Sequence, residues 1–386
     1  THTWRVSSFM FLKGVWRCLR TDVDDMRHAT SFFPDAWRAS FRCEGTPLSF
    51  LRRVVGRGVK KRGREEGRMT RCKNVSDIVK EADRILFHDL DCLQDKDAEF
   101  YFRGESLNFA RKNEGTALPL GTSFPCCLDR EEAWRKNERE LYQEALRLNV
   151  ISFDEDKTMV ERVARMQHYQ MPTRFCDMTS NVLIAAQFAC GTGDVDWKRR
   201  DNGHDGYIRV MKIKRERMKS FTSDIITAIA HLPLVRWNNI NPSREDGLDY
   251  LRYEVTNSRP GFSLPVSEST GGNLRTAKEQ LREEIQHVWA FKPIWNTPRI
   301  RSQSGIFLAF GCGDGKKPLN PSFSPDDYDN PKAPSCGIAQ VAVIQIDGSC
   351  KKRIREELRY FGLSTEGLYP DLSNVCMEIS ERIKEL

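Results

Sequence analysis

Apolar residues recur along the chain at two spacings, one typical of helices and one typical of strands. Helical spacing runs from Asn74 to Leu90, with Ser76 as the expected cap, and again from Met159 to Met166. A long helix is predicted to start at Asp129, and further helices are predicted at 224–232, 277–286, 351–361 and 371–386. Alternating or continuous apolar runs predict strands at 99–105, 174–176, 206–213, 304–310 and 338–346. Strands and helices in this mixed order favour an α+β fold, with a mixed central sheet and helices packed around it.

The stretch from Arg165 to Ala189 combines polar and apolar side chains most densely. Pro172 is expected to stop a helix, because proline lacks the N–H of a helical residue, and a short strand follows. Thr179 or Ser180 is then the expected cap of a second helix. This order brings several polar side chains to one corner, where a helix N-terminus favours a carboxylate or a phosphate: Gln167, His168, Thr173, Arg174, Asp177 and Thr179.

The first part of the chain differs from the rest. Residues 1–72 lack helical or strand periodicity and are predicted to be a basic, weakly structured extension, followed by one domain over 73–386. Much of the net charge of +7 lies in the segment Arg52–Arg71. Such a segment is either a solvated tail or a site for an anionic partner such as nucleic acid.

Composition excludes some classes of protein. The sequence is 39% apolar, enough for a core, yet its runs are too short for a membrane helix, which needs roughly 18 uncharged apolar residues. Its 12 cysteines are scattered and never form a CxxC pair, so we expect reduced thiols, a cytoplasmic location and no metal site. His168 and Asp177 would need a third ligand to hold a metal, and the sequence offers none nearby.

Several side chains are candidates for chemistry. Arg103 precedes a glycine at the end of a predicted strand, where it either contacts a ligand or pairs with a carboxylate. Cys176 could form a nucleophilic arrangement with His168 and Asp177, but its place on a short central strand favours a buried structural thiol. His168 either contacts a ligand or orients its loop from a buried position. Asp177 is the acidic group within the motif.

Four ordered motifs resemble the FRG domain, a family named after its Phe-Arg-Gly sequence. They are Phe102-Arg103-Gly104, the run from His168 to Thr179 with Ala185 and Phe188-Ala189 behind it, the run from Arg299 to Phe307, and the final Leu-Tyr-Pro-Asp-Leu372. The chain departs from the family's usual residues at Phe175, Cys176 and Met178, which are packing positions.

A second resemblance is to the layout of ADP-ribosyltransferases. It implies NAD as the ligand, a macromolecular acceptor, Arg103 on the NAD pyrophosphate or ribose, and Thr173–Thr179 around the nicotinamide. Gln303 would stand where a catalytic Glu is expected, so either Asp177 supplies the negative charge or the fold no longer transfers ADP-ribose. Glu283 and Glu284 are possible substitutes, but their sequence context predicts an exposed helix. The residues implied for binding are Arg103, Gly104, His168, Tyr169, Thr173, Arg174, Thr179 and Arg299, and those implied for catalysis are Asp177 and Gln303.

Two other interpretations fit the same residues. In a binding module without turnover, Arg103, Arg174, Arg299 and Arg301 would converge on the phosphates of a nucleotide or nucleic acid, and Tyr169 or Tyr101 would stack on a base. In a purely structural domain the polar residues of the motif would bond one another, as buried Asp–Arg pairs do.

Overall fold

The structure is a computed structural model of the 386-residue chain. It describes residues 71–90, 95–106, 122, 124–148, 153–191, 203–235, 249, 251, 253, 274–294, 298–313 and 317–370. The chain divides into two units, 1–68 and 69–386, and the described residues belong to the second. The predicted helix over 371–386 and the Arg52–Arg71 segment, apart from Arg71, lie outside the described residues.

The described residues contain one mixed sheet of eight strands. The strands are β1 (Arg71–Cys72), β2 (Ala98–Glu105), β3 (Phe175–Thr179), β4 (Gly206–Lys214), β5 (Met218–Ser220), β6 (Val288–Lys292), β7 (Gly305–Phe310) and β8 (Ile338–Ile346). Their order is β1-β8-β4-β2-β3-β7-β6-β5. The β1–β8 and β5–β6 pairs are parallel and the others are antiparallel. This sheet confirms the predicted α+β class.

Helices surround the sheet. They are α1 (Val75–Asp83), α2 (Glu132–Lys136), α3 (Glu138–Leu148), α4 (Met159–His168), α5 (Val182–Ala189), α6 (Asp224–His231), α7 (Leu274–Glu284), α8 (Pro298–Gln303), α9 (Lys351–Tyr360) and α10 (Thr365–Leu368). The π-helix Arg84–Asp89 continues α1. Within the described part of the chain, none of the helices has the length and apolar character needed to cross a membrane.

Helix caps explain several boundaries and correct two predicted ones. Asn74, not Ser76, caps α1 by accepting a hydrogen bond from the Asp77 N–H. Asn181, not Thr179 or Ser180, caps α5 through the Leu183 N–H. In both cases an Asn side chain satisfies an N–H group that has no partner within the helix.

Two predicted elements differ from the structure. The long helix expected from Asp129 is replaced by a 3-10 helix over Cys127–Arg130 and the separate helices α2 and α3. The breaks lie at Glu131, which is extended with φ of −126° and ψ of 133°, and at Asn137, whose φ of −110° and ψ of 28° depart from helical values. The residues 299–303 precede β7 as helix α8 and not as an extended segment. Pro298 occupies the first position of α8, where its fixed φ suits a helix and its missing N–H costs nothing.

Both faces of the sheet are covered by apolar side chains. On one face, α1, α5 and α9 pack over β2, β4 and β8 around Phe102, Ile208 and Ile344. On the same face, α4 and α6 pack over Phe175 and Phe307 of β3 and β7. The opposite face buries apolar residues of the central strands under Phe124 and Phe323. The polar residues of interest lie where β2 meets β3, between the two groups of helices.

The predicted domain boundary at residue 73 stays a prediction. Arg71 and Cys72, assigned to the extension, already pair with Gln345 and Ile346 of β8. The ordered sheet therefore includes the last two residues of the predicted extension.

Candidate functional site

Asp177 lies in the middle of β3 and faces the helices. Its neighbour across β7 is Phe307, and its carboxylate accepts a hydrogen bond from Gln167 Nε2 at 3.3 Å. Thr173 supports this contact, because its Oγ1 donates to Gln167 Oε1 at 2.7 Å. The Asp177 side chain remains 41% exposed. Gln167 and Thr173 therefore fix the position of the carboxylate, and its exposed part can contact a ligand.

Arg103 reaches Asp177 through an opening in the sheet. Strands β2 and β3 pair at Phe102 and Thr179. Next to that pair, Arg103 Nη1 donates to the main-chain oxygen of Asp177 at 2.7 Å and lies 3.5 Å from its Oδ1. The guanidinium therefore binds β3 where hydrogen bonds between the two strands would otherwise continue.

The charge of Arg103 is the strongest of the influences that favour the ionised form of Asp177. Desolvation is the largest single influence and acts to raise the pKa of Asp177, but the positive charge of Arg103, hydrogen bonds from the backbone and from Gln167, and the neighbouring His168 together outweigh it. The pKa of Asp177 therefore lies below its ordinary value. Asp177 is a carboxylate at neutral pH.

His168 lies at the end of α4 beside Asp177. Its ring is buried and packs against Phe307 with the centroids 5.4 Å apart. Burial, and then the positive charge of Arg299, lower the pKa of His168 to about 3. His168 is therefore neutral at neutral pH and adds no positive charge next to Asp177.

Arg299 and Gln303 come from α8, on the other side of His168. The Arg299 guanidinium lies 4.4 Å from the centre of the Tyr369 ring. Gln303 is buried, and its Nε2 donates to the Leu368 carbonyl at 3.1 Å, which attaches the end of α10 to α8. The structure thus gives Gln303 a packing role at the position implied for a catalytic residue.

Arg174 does not join this group. Its guanidinium is buried and binds Glu138 of α3 through two hydrogen bonds of 2.6 and 2.9 Å. Its Nη1 also donates to the Gly311 carbonyl. Alternation along the chain explains this separation, since Arg174 precedes β3 and Asp177 is three residues later on the other face. Arg174 therefore ties the start of β3 to α3.

Other residues predicted for binding have structural contacts. The Cα of Gly104 lies under α5, and a Cβ placed there would be 1.9 Å from the Ala185 carbonyl oxygen. Thr179 Oγ1 donates to the Gln303 carbonyl and accepts from the Asn181 N–H. Tyr169 is 59% exposed at the end of α4, next to His168. Of these three, Tyr169 has a side chain that a ligand can reach.

The thiol of Cys176 is poorly suited to nucleophilic chemistry. Cys176 is buried on the face of β3 opposite Asp177. Burial raises the pKa of this thiol to about 12, so little thiolate exists at neutral pH. This geometry favours the packing role over the nucleophilic one. Across the ranges that the structure describes, no cluster of three or more His, Cys, Asp or Glu side chains could hold a metal ion.

The sequence interpretation missed two charged residues at this site. Glu105 follows Arg103 by two positions, and Arg209 lies within the apolar run of β4. Glu105 accepts hydrogen bonds from both Arg103 and Arg209. An arginine in the middle of a buried strand was the available signal, because such a group needs a partner.

The comparisons agree with the motif-based assignment. The family model described as the FRG domain matches residues 98–196, which contain the first two of the four motifs, and this match confirms the resemblance over those residues. Neither the curated proteins nor the solved structures include a match to this chain. The resemblance to ADP-ribosyltransferases is not supported by these comparisons.

Proposed function

We propose that the region matched by the FRG family model, residues 98–196, binds NAD or a related nucleotide at Asp177 and cleaves its bond to nicotinamide. The main support is the state of Asp177. It is a carboxylate with a lowered pKa and a 41% exposed side chain, and its neighbours Arg103, Gln167 and His168 are buried. An exposed, fixed negative charge of this kind is what a developing ribosyl cation requires.

The proposed chemistry follows from that charge. The bond between the ribosyl carbon and the nicotinamide nitrogen breaks, and its electron pair leaves with nicotinamide. The ribosyl group becomes an oxocarbenium-like cation, which the Asp177 carboxylate stabilises. Water, or a hydroxyl group of a macromolecular acceptor, then adds to the cation and releases a proton. Neutral His168 avoids a repulsive charge beside that cation.

The phosphate contacts implied by the resemblance fit the structure in part. Arg103 is engaged by Glu105 and Asp177, and Arg174 is engaged by Glu138. Arg299 and Arg301 on α8 are the better candidates for phosphates, since Arg299 is partly exposed and acts on His168. In this arrangement Asp177 faces the ribose and α8 faces the phosphates.

A direct test is the release of nicotinamide from labelled NAD. For Asp177→Asn we expect a loss of about 100-fold or more in turnover, because the amide keeps the shape but lacks the charge. NAD affinity, measured by calorimetry, should change much less. The matched control is Asp95→Asn, another partly exposed carboxylate with a lowered pKa that pairs with a cation, Lys212 at 2.6 Å.

Two results would contradict the proposal. One is full turnover by Asp177→Asn. The other is that the wild-type protein, tried with water and with macromolecular acceptors under varied conditions, neither releases nicotinamide nor modifies an acceptor.

A second candidate function is nucleotide or nucleic-acid binding without turnover. The stacking of Arg299 on Tyr369, with Arg301 exposed on the same helix, favours a surface for phosphates. Calorimetry with NAD, ATP and short RNA separates the candidates. Tight RNA binding with no heat from NAD would replace the enzymatic proposal. A cytoplasmic location is part of either proposal and rests on the scattered cysteines.

A further inference from the structure

Glu105 binds two arginines on the face of the sheet opposite Asp177. Its Oε1 accepts from Arg103 Nε at 3.1 Å and its Oε2 accepts from Arg209 Nε at 3.1 Å. Arg209 Nη1 in turn donates to Gln340 Oε1. The network therefore runs across three adjacent strands, from β2 through β4 to β8.

All four side chains of this network are buried. Both guanidinium groups also lie near the Phe124 ring, with their carbons 5.8 Å and 5.0 Å from its centre. Removing three charges from water is costly, and apolar residues of similar volume would often stabilise a core as well. A network retained at that cost is better explained by the geometry it imposes than by stability.

The imposed geometry concerns Arg103. Glu105, Arg103 and Arg209 share one face of the sheet, because Arg103 pairs with Arg209 and residues two apart in β2 point the same way. Asp177 shares the other face with Phe102, through the pairing of Phe102 with Thr179. Arg103 nevertheless contacts Asp177, so its guanidinium crosses from one face toward the other at the opening between β2 and β3.

We propose that Glu105 and Arg209 are positioning residues that hold Arg103 in the opening between β2 and β3, and thereby set the charge that Asp177 presents to its ligand. Arg209 binds one carboxylate oxygen of Glu105 and Arg103 binds the other. The negative charge of Glu105 is therefore shared between two arginines, and Arg103 keeps enough positive charge to bind Asp177. The importance of this arrangement for turnover rests on the proposed function, whereas its effect on Asp177 does not.

Among the residues that the structure describes, the charged and titratable groups around Asp177 come from three elements. Arg103 contacts it from β2, and His168 faces it from α4, while Arg299 of α8 acts on His168. Gln167 adds a hydrogen bond without a charge. Arg103 is thus the cation in direct contact, and changing its compensation should change the proton affinity of Asp177 in a defined direction.

The test measures the pKa of Asp177 in the full chain by carbon-13 NMR of labelled aspartate, with Asp177→Asn identifying the resonance. In Arg209→Gln the whole charge of Glu105 falls on Arg103, so we expect the pKa of Asp177 to rise. In the double variant Glu105→Gln/Arg209→Gln that compensation is gone, so we expect the pKa to fall below the wild-type value. An opposite charge within ~4–6 Å typically shifts a carboxyl pKa by about 1–3 units, which this titration resolves.

The opposite signs distinguish positioning from a merely structural role. Arg209→Lys keeps the charge and should restore the wild-type titration. Equal shifts in the single and double variants, or no shift in either, would overturn the proposal. Because Glu105 keeps Arg103 as a partner in Arg209→Gln and is itself replaced in the double variant, both should fold. If Arg209→Gln does not, the fall of the Asp177 pKa in the double variant, measured against the wild-type protein and Arg209→Lys, carries the test, and the absence of that fall overturns the proposal.

Activity provides a separate readout. If the wild-type protein releases nicotinamide, Arg209→Gln should lower kcat by about tenfold and leave KM nearly unchanged, since Asp177 acts on the transition state. If the wild-type protein shows no turnover, the proposed function fails while the titration still decides the role of Glu105 and Arg209.

Discussion

Gly104 lies directly beneath the backbone of α5, and this contact explains the glycine of the Phe-Arg-Gly motif. A Cβ at this position would be 1.9 Å from the Ala185 oxygen and 2.8 Å from the Ala189 nitrogen, atoms that cannot move without displacing the helix. Because α5 directly follows β3, any displacement of α5 would also disturb Asp177. The glycine is required for packing in this fold.

Gly104→Ala should therefore destabilise the protein by about 3 kcal/mol or more, at the upper end of the range for overpacking. Urea unfolding measures the effect. Gly313→Ala is the control, because a Cβ there would meet Leu319 at an ordinary 3.8 Å, and we expect a change within about 0.5 kcal/mol. Equal stability of the two variants would show that α5 adapts easily.

The two arginines of the motifs illustrate what residue type alone cannot establish. Arg103 lies near the end of β2 and Arg174 directly precedes β3, and both were expected to contact phosphate. Arg103 binds Asp177 and Glu105 near the open site, whereas Arg174 is enclosed with Glu138. Asp177 is 74 residues from Arg103 and Glu138 is 36 residues from Arg174 along the chain, so local sequence could not distinguish the two arginines.

At the scale of elements, the Arg174–Glu138 pair connects the start of β3 to α3. The side chains are 1% and 4% exposed, so water cannot stabilise either charge and each is stabilised by the opposite charge of its partner. Next to this pair lies a cavity of ≈ 20 Å³ between α3, α4 and α6, with space for about one water molecule. This cavity beside Arg174 and Glu138 is too small for a nucleotide.

Arg174→Met should cost about 3–5 kcal/mol in the free energy of unfolding, because it leaves Glu138 buried and unpaired. Combining it with Glu138→Leu should recover most of that loss. Denaturant unfolding of the single and double variants tests this, and the double variant should bind NAD like the wild-type protein. Weaker NAD binding by a well-folded double variant would show that Arg174 contributes to ligand binding.

Helix α8 shows how an element can be misjudged when its polar residues alternate. Arg299, Arg301 and Gln303 recur at every second position, which suggests an extended segment before β7. The structure forms a short helix there, started by Pro298 and ended by Ser304 with φ of 48°. As a result, Arg299 faces Tyr369 while Gln303 holds Leu368.

At the scale of the whole molecule, the buried imidazole of His168 couples folding to pH. Its pKa is about 3 in the folded protein, against an ordinary 6.5 when exposed in the unfolded chain. The unfolded state therefore binds more protons between these values, and the free energy of unfolding rises with pH across this window. The part of the free energy of unfolding that depends on neutral His168 has its full value above pH 6.5 and decreases as the pH falls toward 3.

We expect the wild-type protein to lose about 2 kcal/mol of stability from this residue between pH 7 and pH 5, given about 1.4 kcal/mol per pKa unit. His168→Phe keeps a ring against Phe307 and should remove that part of the pH dependence. Urea unfolding at the two pH values provides the measurement, with His88→Gln, whose side chain is 68% exposed, as the control. An unchanged slope in His168→Phe would contradict the lowered pKa.

The sequence by itself determined the α+β class, most of the helices and strands, and the FRG motifs, because these depend on local periodicity, capping groups and residue identity. It also brought Asp177, His168 and Arg103 forward as candidates. Only the tertiary structure decided their roles. Strands β2, β4 and β8 are far apart in sequence but adjacent in the sheet, and that adjacency buries Glu105 between Arg103 and Arg209. Electrostatic effects depend on distance in space and on burial, so the state of Asp177 could be established only in the folded protein.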